Sequence, residues 1–472
     1  MQAYDKKQLD AKIASSMPVD HPWHNDFHLE MPFGLINDPN GLSFHEGKYH
    51  IFMQWNPFGV EHKHKCWSHV ETTDFLHYSL PVLALWPTDE HDANGCYSGC
   101  GFTEDGELKV LYTCNRREGK TRIPAQRIGT WNGAEIEKGA ILIEKEPAGY
   151  GSHFRDPARY VKDGREYLLL GGQTADERGR ALLYERHGED AVFLGELRDF
   201  GYMWECPNMF SLAGREILLF SPQGLEAEER RYQNLYQSGY VVGELDENTC
   251  TYTHGAFEEI DFGFDFYAPQ VFQREGRTIL YGWMGMPERE CEYPTAEYGW
   301  MHNLTMPREL TLKDGHIYSR PVREMEALRT GEMRKVEGKI EEVALYKKSE
   351  IHLKIPLNEQ EKICVKLNYG KEQWCLHYDV QAHIMEIDRN AMELGGRGVR
   401  RFALRAEECL CIDAYIDKTA VELFFQDGYC AASFNVFPRS DEVQRLTVTA
   451  EHELAEGAAV VFELGGFQWS GK

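Results

Sequence analysis

The first 290 residues contain a strand–turn–strand pattern that occurs five times, and this repeat restricts the fold more than any other feature of the chain. Each copy has an extended segment, a tight polar turn with a glycine, and a strand rich in β-branched and aromatic residues. The turn glycines are 59, 58, 50 and 62 residues apart, which is the length scale of a propeller blade of four strands with its loops. They are Gly47, Gly106, Gly164, Gly214 and Gly276. The repeat predicts a five-bladed β-propeller, and unrelated hairpins in a β-sandwich are the alternative.

Three of the five copies have an acidic residue at the equivalent position, eight or nine residues before the turn glycine. These are Asp38, Asp156 and Glu205, whereas the second and fifth copies have Ser98 and Tyr267. Equivalent positions near the start of the inner strands of a propeller converge around the central channel. Charged side chains are seldom buried there without a partner or a task. We therefore expect three carboxylates to meet at the channel, where each raises the pKa of the others and one can be a protonated acid.

The composition changes after residue 310, where a charged and helix-leaning segment begins. Short strands with alternating polar and apolar residues follow from about residue 340, as in a β-sandwich. We predict an all-β chain with a catalytic propeller at residues 1–318, a junction at 319–338 and a sandwich at 339–472. The propeller part is expected to begin with a short helical segment. The sandwich shows no paired acids with nearby aromatic residues, so we assign no catalysis to it.

Charge and composition exclude several classes of function. The net charge is −25, which argues against a nucleic-acid partner, because such a partner needs clustered Lys and Arg. The sequence has no apolar run of about 18 residues, so we expect no membrane span. The N-terminus has no apolar core of signal-peptide length, so we expect a cytoplasmic protein. The twelve cysteines lack the C-x-x-C pairs typical of zinc sites. We expect them to be reduced thiols, and we expect no metal and no cofactor.

A series of short motifs resembles, in the same order, glycoside hydrolase family 32, the invertases and fructanases. The strongest are NDPNG at 37–41, RDP at 155–157 and EC at 205–206. The others are MQWNPFG at 53–59, WSH at 67–69, CYSG at 96–99, YAPQ at 267–270, YGWMG at 281–285, MPREL at 306–310 and IDKTAVELFFQDG at 416–428. The resemblance therefore extends over nearly the whole chain. Small departures, such as Ser68 and Tyr97 where the family usually has Gly and Phe, leave the shape of the pocket open.

The resemblance implies a retaining hydrolase of terminal β-D-fructofuranosyl bonds, on a five-bladed propeller followed by a β-sandwich. It implies that Asp38 is the nucleophile, Glu205 the acid/base and Asp156 the transition-state stabiliser. The chemistry fits these residue types. One carboxylate attacks the anomeric carbon, while a second carboxyl group protonates the leaving oxygen and later activates water. We also expect Arg155 to keep Asp156 ionised.

Further residues are predicted to bind the sugar substrate. The resemblance implies that Asn37 and Gln54 bind the fructose ring, and aromatic residues can pack on sugar faces. Packing between blades is the alternative for the aromatic residues. The predicted substrate-binding residues are Asn37, Gln54, Trp67, Tyr97, Ser98, Arg155 and Trp283.

The substrate stays open between sucrose, sucrose 6-phosphate and short fructo-oligosaccharides. A phosphate needs local positive charge, which the loop of His62, Lys63, His64 and Lys65, or the pair Arg116 and Arg117, can provide. Solvated loop charges are the alternative. A fructosyltransferase, a five-bladed arabinosidase or xylosidase, and a non-catalytic sugar-binding protein are rival interpretations. A homo-oligomer is possible.

Overall fold

The computed structural model describes residues 4–197, 201–287, 292–357, 360–440, 442–450 and 457–470. These residues form seven mostly antiparallel sheets. An α-helix at Lys6–Ser16 lies near the N-terminus, and Asp5 caps it by accepting a hydrogen bond of 2.9 Å from the Gln8 N–H. Short 3₁₀ helices span Pro294–Tyr298 and Arg323–Leu328. Among the residues that the structure describes, no helix has the length and apolar character needed to cross a membrane.

Five of the sheets are the blades of a propeller, and each begins with one copy of the sequence repeat. Blade 1 has the strands Gly34–His45, Lys48–Asn56, Cys66–Thr72, His77–Ser79 and Val82–Leu85, together with Trp300–Met301 and Gln468–Ser470. Blade 2 has Cys96–Glu104, Glu107–Glu118, Thr121–Trp131 and Ile136–Ile143, and blade 3 has Tyr150–Lys162, Arg165–Thr174, Gly179–His187 and Asp190–Leu197. Blade 4 has Met203–Leu212, Arg215–Gln223, Gly239–Asp246, Thr251–His254 and Glu258–Glu259, and blade 5 has Tyr267–Arg274, Arg277–Met284, Asn303–Leu304, Arg308–Lys313 and His316–Pro321.

The inner strands of the blades form a closed ring. Each inner strand contacts the inner strand of the next blade, and the fifth contacts the first. Trp300–Met301 pairs in parallel with Gly34–Leu35, so a segment that follows blade 5 along the chain joins blade 1. The predicted five-bladed propeller is confirmed.

All five inner strands have an irregularity at the same place. The register with the second strand shifts between Ile36 and Pro39, Cys96 and Gly99, Arg155 and Ala158, Glu205 and Asn208, and Tyr267 and Gln270. Four of these shifts include a proline, which has no N–H to give to the ladder. A bulge of this kind redirects the neighbouring side chains. The acidic residues of the repeat lie at these bulges.

The other two sheets pack face to face as the predicted β-sandwich. The first has the strands Arg329–Gly338, Gly457–Leu464, Ser349–Pro356, Cys409–Ile416, Ala420–Phe425 and Cys430–Asn435. The second has the strands Val343–Ala344, Arg445–Ala450, Lys362–Tyr369, Glu372–Asp379, Ile384–Asp388 and Val399–Ala403. Buried apolar side chains from both sheets form one core, as expected where alternate residues of each strand face inward.

The division of the chain at 1–318, 319–338 and 339–472 stays a prediction. Strand pairs join residues from different predicted parts of the chain at two points. Arg329–Gly338, inside the predicted junction, pairs with a sandwich strand. Gln468–Ser470, at the C-terminal end, pairs in parallel with the propeller strand His77–Ser79.

A buried network of charges links the propeller to the sandwich. Arg308 of blade 5 donates from Nε to Glu422 Oε2 at 2.7 Å and from one terminal nitrogen to Asp261 Oδ2 at 2.9 Å. His28 lies between Asp417 Oδ2 and Glu422 Oε1, at 3.0 Å from each. Burial alone would lower the pKa of His28, but hydrogen bonds to the two carboxylates raise it to about 9. The acids of the motif at 416–428 thus stabilise the contact between the two parts.

Candidate active site

Asp38, Asp156 and Glu205 come together around Cys206. The Cys206 N–H donates to Asp156 Oδ2 at 3.2 Å, and Cys206 Sγ lies 3.8 Å from Asp38 Oδ2. Glu205 precedes Cys206 directly. Residues of blades 1, 3 and 4 therefore meet at one point, as their equivalent positions in the repeat predict.

The backbone at this point is strained. Asp156 and Cys206 have φ values of 63° and 48°, in the left-handed region that residues other than glycine seldom adopt. Each precedes a proline inside its bulge. The ring of packed inner strands holds this conformation, which directs the Asp156 side chain and the Cys206 N–H toward each other.

Asp38 is held by donors on both carboxylate oxygens. Ser98 Oγ donates to Oδ2, and Asn37 Nδ2 donates to Oδ1 at 3.0 Å and to Gln54 Oε1 at 2.6 Å. Lys65 Nζ donates in turn to Asn37 Oδ1. Burial raises the pKa of Asp38, and the hydrogen bonds from Ser98 and Asn37 oppose this rise. The side chain is thus fixed in one orientation, with its charge partly compensated.

Glu205 accepts hydrogen bonds from three side chains. Arg155 donates to Oε1 from one terminal nitrogen at 2.6 Å and from Nε at 3.1 Å. Gln223 Nε2 and Tyr267 Oη donate to Oε2 at 2.6 and 2.5 Å. Burial alone would raise the pKa of Glu205, but the Arg155 charge and these donors lower it. Glu205 is therefore ionised when no sugar is bound.

The expected effect of Arg155 on Asp156 has the right direction, because its charge lowers the pKa of this acid, but burial outweighs it. Arg155 pairs with Glu205, and its Nε is 3.7 Å from Asp156 Oδ2. Burial, together with the charges of Glu205 and Asp38, raises the pKa of Asp156 to about 7. The physical reason is that Asp156 is buried, while Arg155 gives its hydrogen bonds to Glu205. The raised pKa favours the protonated form of Asp156 in the free site.

The predicted aromatic contacts differ in their outcome. Trp67 and Trp283 are 0% and 1% exposed, so neither ring has a face for a sugar, and both predictions are corrected. Trp67 packs in the core between blades 1 and 2 and donates from Nε1 to the Tyr97 carbonyl at 3.2 Å. Tyr97 is half-buried, and the guanidinium of Arg122 lies over its ring at 5.7 Å. Tyr97 stays a candidate for substrate contact.

Sequence reasoning missed three residues of the site. Tyr267 occupies the equivalent position in the fifth repeat, so the repeat that located the acids carried a signal for it. Gln223 reaches Glu205 from the neighbouring strand, where it pairs with Met203. This contact can be predicted only if the register of the two strands is known. Arg122 belongs to the outer part of blade 2 and comes near the site only through the fold. Its pKa is lowered by burial and by the charge of Arg155.

Comparison with known proteins agrees with this arrangement. The family model described as the glycosyl hydrolases family 32 N-terminal domain matches residues 28–321. The chain belongs to glycosyl hydrolase family 32. Membership of family 32 makes it a glycoside hydrolase, and it removes the interpretation as an arabinosidase or xylosidase of another family.

Relatives within family 32 are similar over nearly the whole chain. A sucrose-6-phosphate hydrolase of Bacillus subtilis (strain 168) is 36% identical, over 96% of this chain and 97% of its own length. The solved sucrose-6-phosphate hydrolase of Lactobacillus gasseri has a TM-score of 0.88 and 29% identity, over 98% of this chain and 97% of that chain. The family 32 β-fructofuranosidase of Bombyx mori has the same TM-score and 28% identity, over 98% of both chains.

Proposed function

We propose that this chain hydrolyses the terminal β-D-fructofuranosyl bond of sucrose, sucrose 6-phosphate or short fructo-oligosaccharides with retention of configuration. One observation carries the proposal: three buried carboxylates share one site but have different hydrogen-bond partners, and the pKa is raised for Asp38 and Asp156 and lowered for Glu205. The printed names of the family 32 relatives support the substrate class. A cytoplasmic location and a homo-oligomer stay predictions.

In the first step, an Asp38 oxygen attacks the anomeric carbon of the fructosyl unit. The bond from that carbon to the leaving oxygen breaks, and Glu205 gives this oxygen a proton. Asp38 suits attack because Ser98 and Asn37 fix both of its oxygens. In the second step, Glu205 takes a proton from water, the water oxygen bonds to the anomeric carbon, and Asp38 is released. A sugar hydroxyl in place of this water makes the same site a fructosyltransferase.

The first step needs a protonated Glu205, and substrate binding favours this form through Asp156. Fructose hydroxyl groups that donate to Asp156 favour its ionised form and so lower its pKa. The resulting negative charge raises the pKa of Glu205, because the two acids already interact in the free site. Asp156, once ionised, stabilises the positive charge that develops on the sugar ring in the transition state.

The residues around the site bear on which leaving group it accepts. In sucrose 6-phosphate, the phosphate is on the leaving glucosyl unit, so its partner belongs on the Glu205 side. Lys65 is on the Asp38 side, where it donates to Asn37. Lys63 pairs with Glu61 at 2.5 Å. These contacts make both lysines poor phosphate ligands.

Arg122 has the properties that a phosphate ligand needs. It lies over Tyr97 and is close enough to Arg155 and Glu205 for their charges to act on it. Within the described part of the chain, it forms no ion pair with a carboxylate. Its partner across the hairpin is Arg117, which adds positive charge at the strand ends. Arg116, by contrast, pairs with Glu118 at 3.3 Å. We therefore assign the leaving-group phosphate to Arg122, with Arg117 beside it.

Replacement of Arg122 by Ala should discriminate between the two sucroses. The variant Arg122→Ala is expected to lose roughly 10- to 100-fold in kcat/KM for sucrose 6-phosphate, the worth of one or two charge-assisted hydrogen bonds. The loss in kcat/KM for sucrose should be below about 3-fold, since sucrose has no phosphate for Arg122 to bind. Steady-state kinetics with both sugars measure this. Lys63→Ala is the matched control and should change neither value, and equal losses for both sugars in Arg122→Ala would contradict the assignment.

Replacement of Tyr267 by Phe should shift the pH dependence of activity. The Tyr267 hydroxyl donates to Glu205 at 2.5 Å, which favours the ionised carboxylate, so its removal raises the pKa of Glu205. Activity needs the protonated acid, and the alkaline limb of the kcat profile, which reports the enzyme–substrate complex, should therefore move up by about one pH unit. Tyr298→Phe, at an exposed tyrosine, should leave the profile unchanged. An alkaline limb that stays in place or moves down would show that Tyr267 does not act on the acid.

The proposed function itself is tested by a substrate panel and by the configuration of the first product. Sucrose, sucrose 6-phosphate, kestose and inulin are each incubated with the enzyme, and the released sugar is followed by NMR before mutarotation. We expect β-fructofuranose as the first product. Release of the α-anomer would contradict retention, and no hydrolysis of any of the four sugars would contradict the substrate class.

A further inference from the structure

The outer face of the second sandwich sheet has a group of side chains that can bind metal. Strand periodicity puts Cys375 and His377 on the same face, and Cys364 is the direct partner of His377 on the neighbouring strand. On the third strand, Glu386 pairs with His377 and Asp388 with Cys375. Alternate residues of these strands fill the core, so the five metal-binding side chains point away from it.

The donor atoms are close enough for one ion. The sulfur atoms of Cys364 and Cys375 and a ring nitrogen of His377 all lie within 4.8 Å of one another. Ligand atoms of a tetrahedral zinc ion are about 3.3–3.8 Å apart, from zinc–ligand bonds of about 2.0–2.3 Å. We propose that Cys364, Cys375 and His377 bind a zinc ion, and that the Asp388 carboxylate, which lies near His377, turns toward the ion as the fourth ligand.

The choice of the fourth ligand follows from the neighbouring contacts. Glu386 Oε2 accepts a hydrogen bond of 2.6 Å from Arg401 Nε, so binding a metal would cost this ion pair. Asp388 is opposite Cys375 on the neighbouring strand. One carboxylate oxygen of Asp388, one carboxylate oxygen of Glu386 and a ring nitrogen of His377 lie within 4.8 Å of one another. Its Oδ1 accepts from the Asn390 N–H at 2.7 Å, which holds the carboxylate at the end of its strand.

The ligand types select the metal. Two thiolates and an imidazole favour zinc over magnesium or calcium, which prefer oxygen ligands. Cys364 and His377 line a cavity of about 590 Å³ that opens between the sandwich and Glu229 of the propeller, so an ion can enter without unfolding. The ion would join three adjacent strands by side chains. This site uses none of the residues proposed for hydrolysis, so the two proposals succeed or fail separately.

Metal titration of the full chain tests the proposal. The protein is reduced with a phosphine, stripped with a chelator and titrated with Co²⁺ and then with Zn²⁺. We expect one equivalent of Co²⁺ to give the intense visible bands of a tetrahedral thiolate complex, and Zn²⁺ to displace it. Cys364→Ser and His377→Ala should weaken zinc binding by about 10-fold or more. Cys411→Ser, at a half-buried cysteine of the other sandwich sheet, is the matched control and should bind like the wild type.

Three results would overturn the proposal. The first is no visible Co²⁺ band in the reduced wild type. The second is equal zinc binding by the wild type, Cys364→Ser and His377→Ala, because the acidic surface would then hold the ion. The third is a Cys364–Cys375 disulfide, found by mass spectrometry, that persists under the reducing conditions. Circular dichroism of each variant checks that the fold is intact.

Discussion

Replacement of Asp38 by Ala should lower kcat for sucrose by about 10⁴-fold or more, because no other group can form the covalent intermediate. The side chain is small and lies at the channel, so the ring of blades should stay intact. Glu205→Ala should cost about 10²- to 10⁴-fold, the usual contribution of a general acid/base. Initial rates with sucrose measure both effects.

The matched control for these variants is Asp190→Ala, at an exposed carboxylate at the start of a blade 3 strand. It should keep the full rate. If Asp38→Ala kept more than about one-hundredth of the wild-type kcat, the assignment of the nucleophile would be contradicted. Circular dichroism should show the same spectrum for all these variants, which separates a lost reaction from a lost fold.

Replacement of Arg308 by Met should lower the free energy of unfolding by about 3–5 kcal/mol, the usual cost of removing one partner of a buried ion pair. Arg308, Asp261 and Glu422 have side chains that are 0% exposed, so Asp261 would stay buried without this cation, and Glu422 would keep only His28 as a cationic partner. The midpoint of urea unfolding, followed by tryptophan fluorescence, measures the change.

Arg320→Met is the matched control for this stability prediction. Its guanidinium is 51% exposed, and its pairs with Asp413 and Asp427 are 3.3 and 3.4 Å long. A solvated pair of this kind contributes about 0–1 kcal/mol. Equal midpoints for Arg308→Met and Arg320→Met would contradict the view that the buried network holds the sandwich against the propeller.

The propeller and the meeting of the acids could be predicted because both follow from the repeat. One period along the sequence gives five blades, and equivalent positions in a ring must converge. The two buried tryptophans show the limit of this reasoning, since Trp67 follows the same pattern whether it faces a sugar or packs between blades. Only the packing of blade 2 against blade 1 decides the outcome.

Contacts between strands could not be read from the sequence. Arg155 lies within ion-pair distance of both Asp156 and Glu205 but gives its hydrogen bonds to Glu205, and only the packing of blade 3 against blade 4 decides this. Cys364 and Cys375 are eleven positions apart and lack the spacing of zinc motifs, yet strand register puts them beside His377. The motif acids Asp417 and Glu422 likewise have a structural task that only the contact between the two parts reveals.

The central claim is that the fructosyl unit is transferred to Asp38, and trapping this intermediate tests it most directly. In Glu205→Ala, a fructosyl fluoride needs no acid for the first step, while water lacks a base for the second, so the intermediate should accumulate. Acid quenching, proteolysis and mass spectrometry then locate the added fructosyl group. The account predicts the label on Asp38, in the peptide that contains residues 34–41. A label on Asp156, or turnover of the fluoride with no labelled peptide, would contradict it.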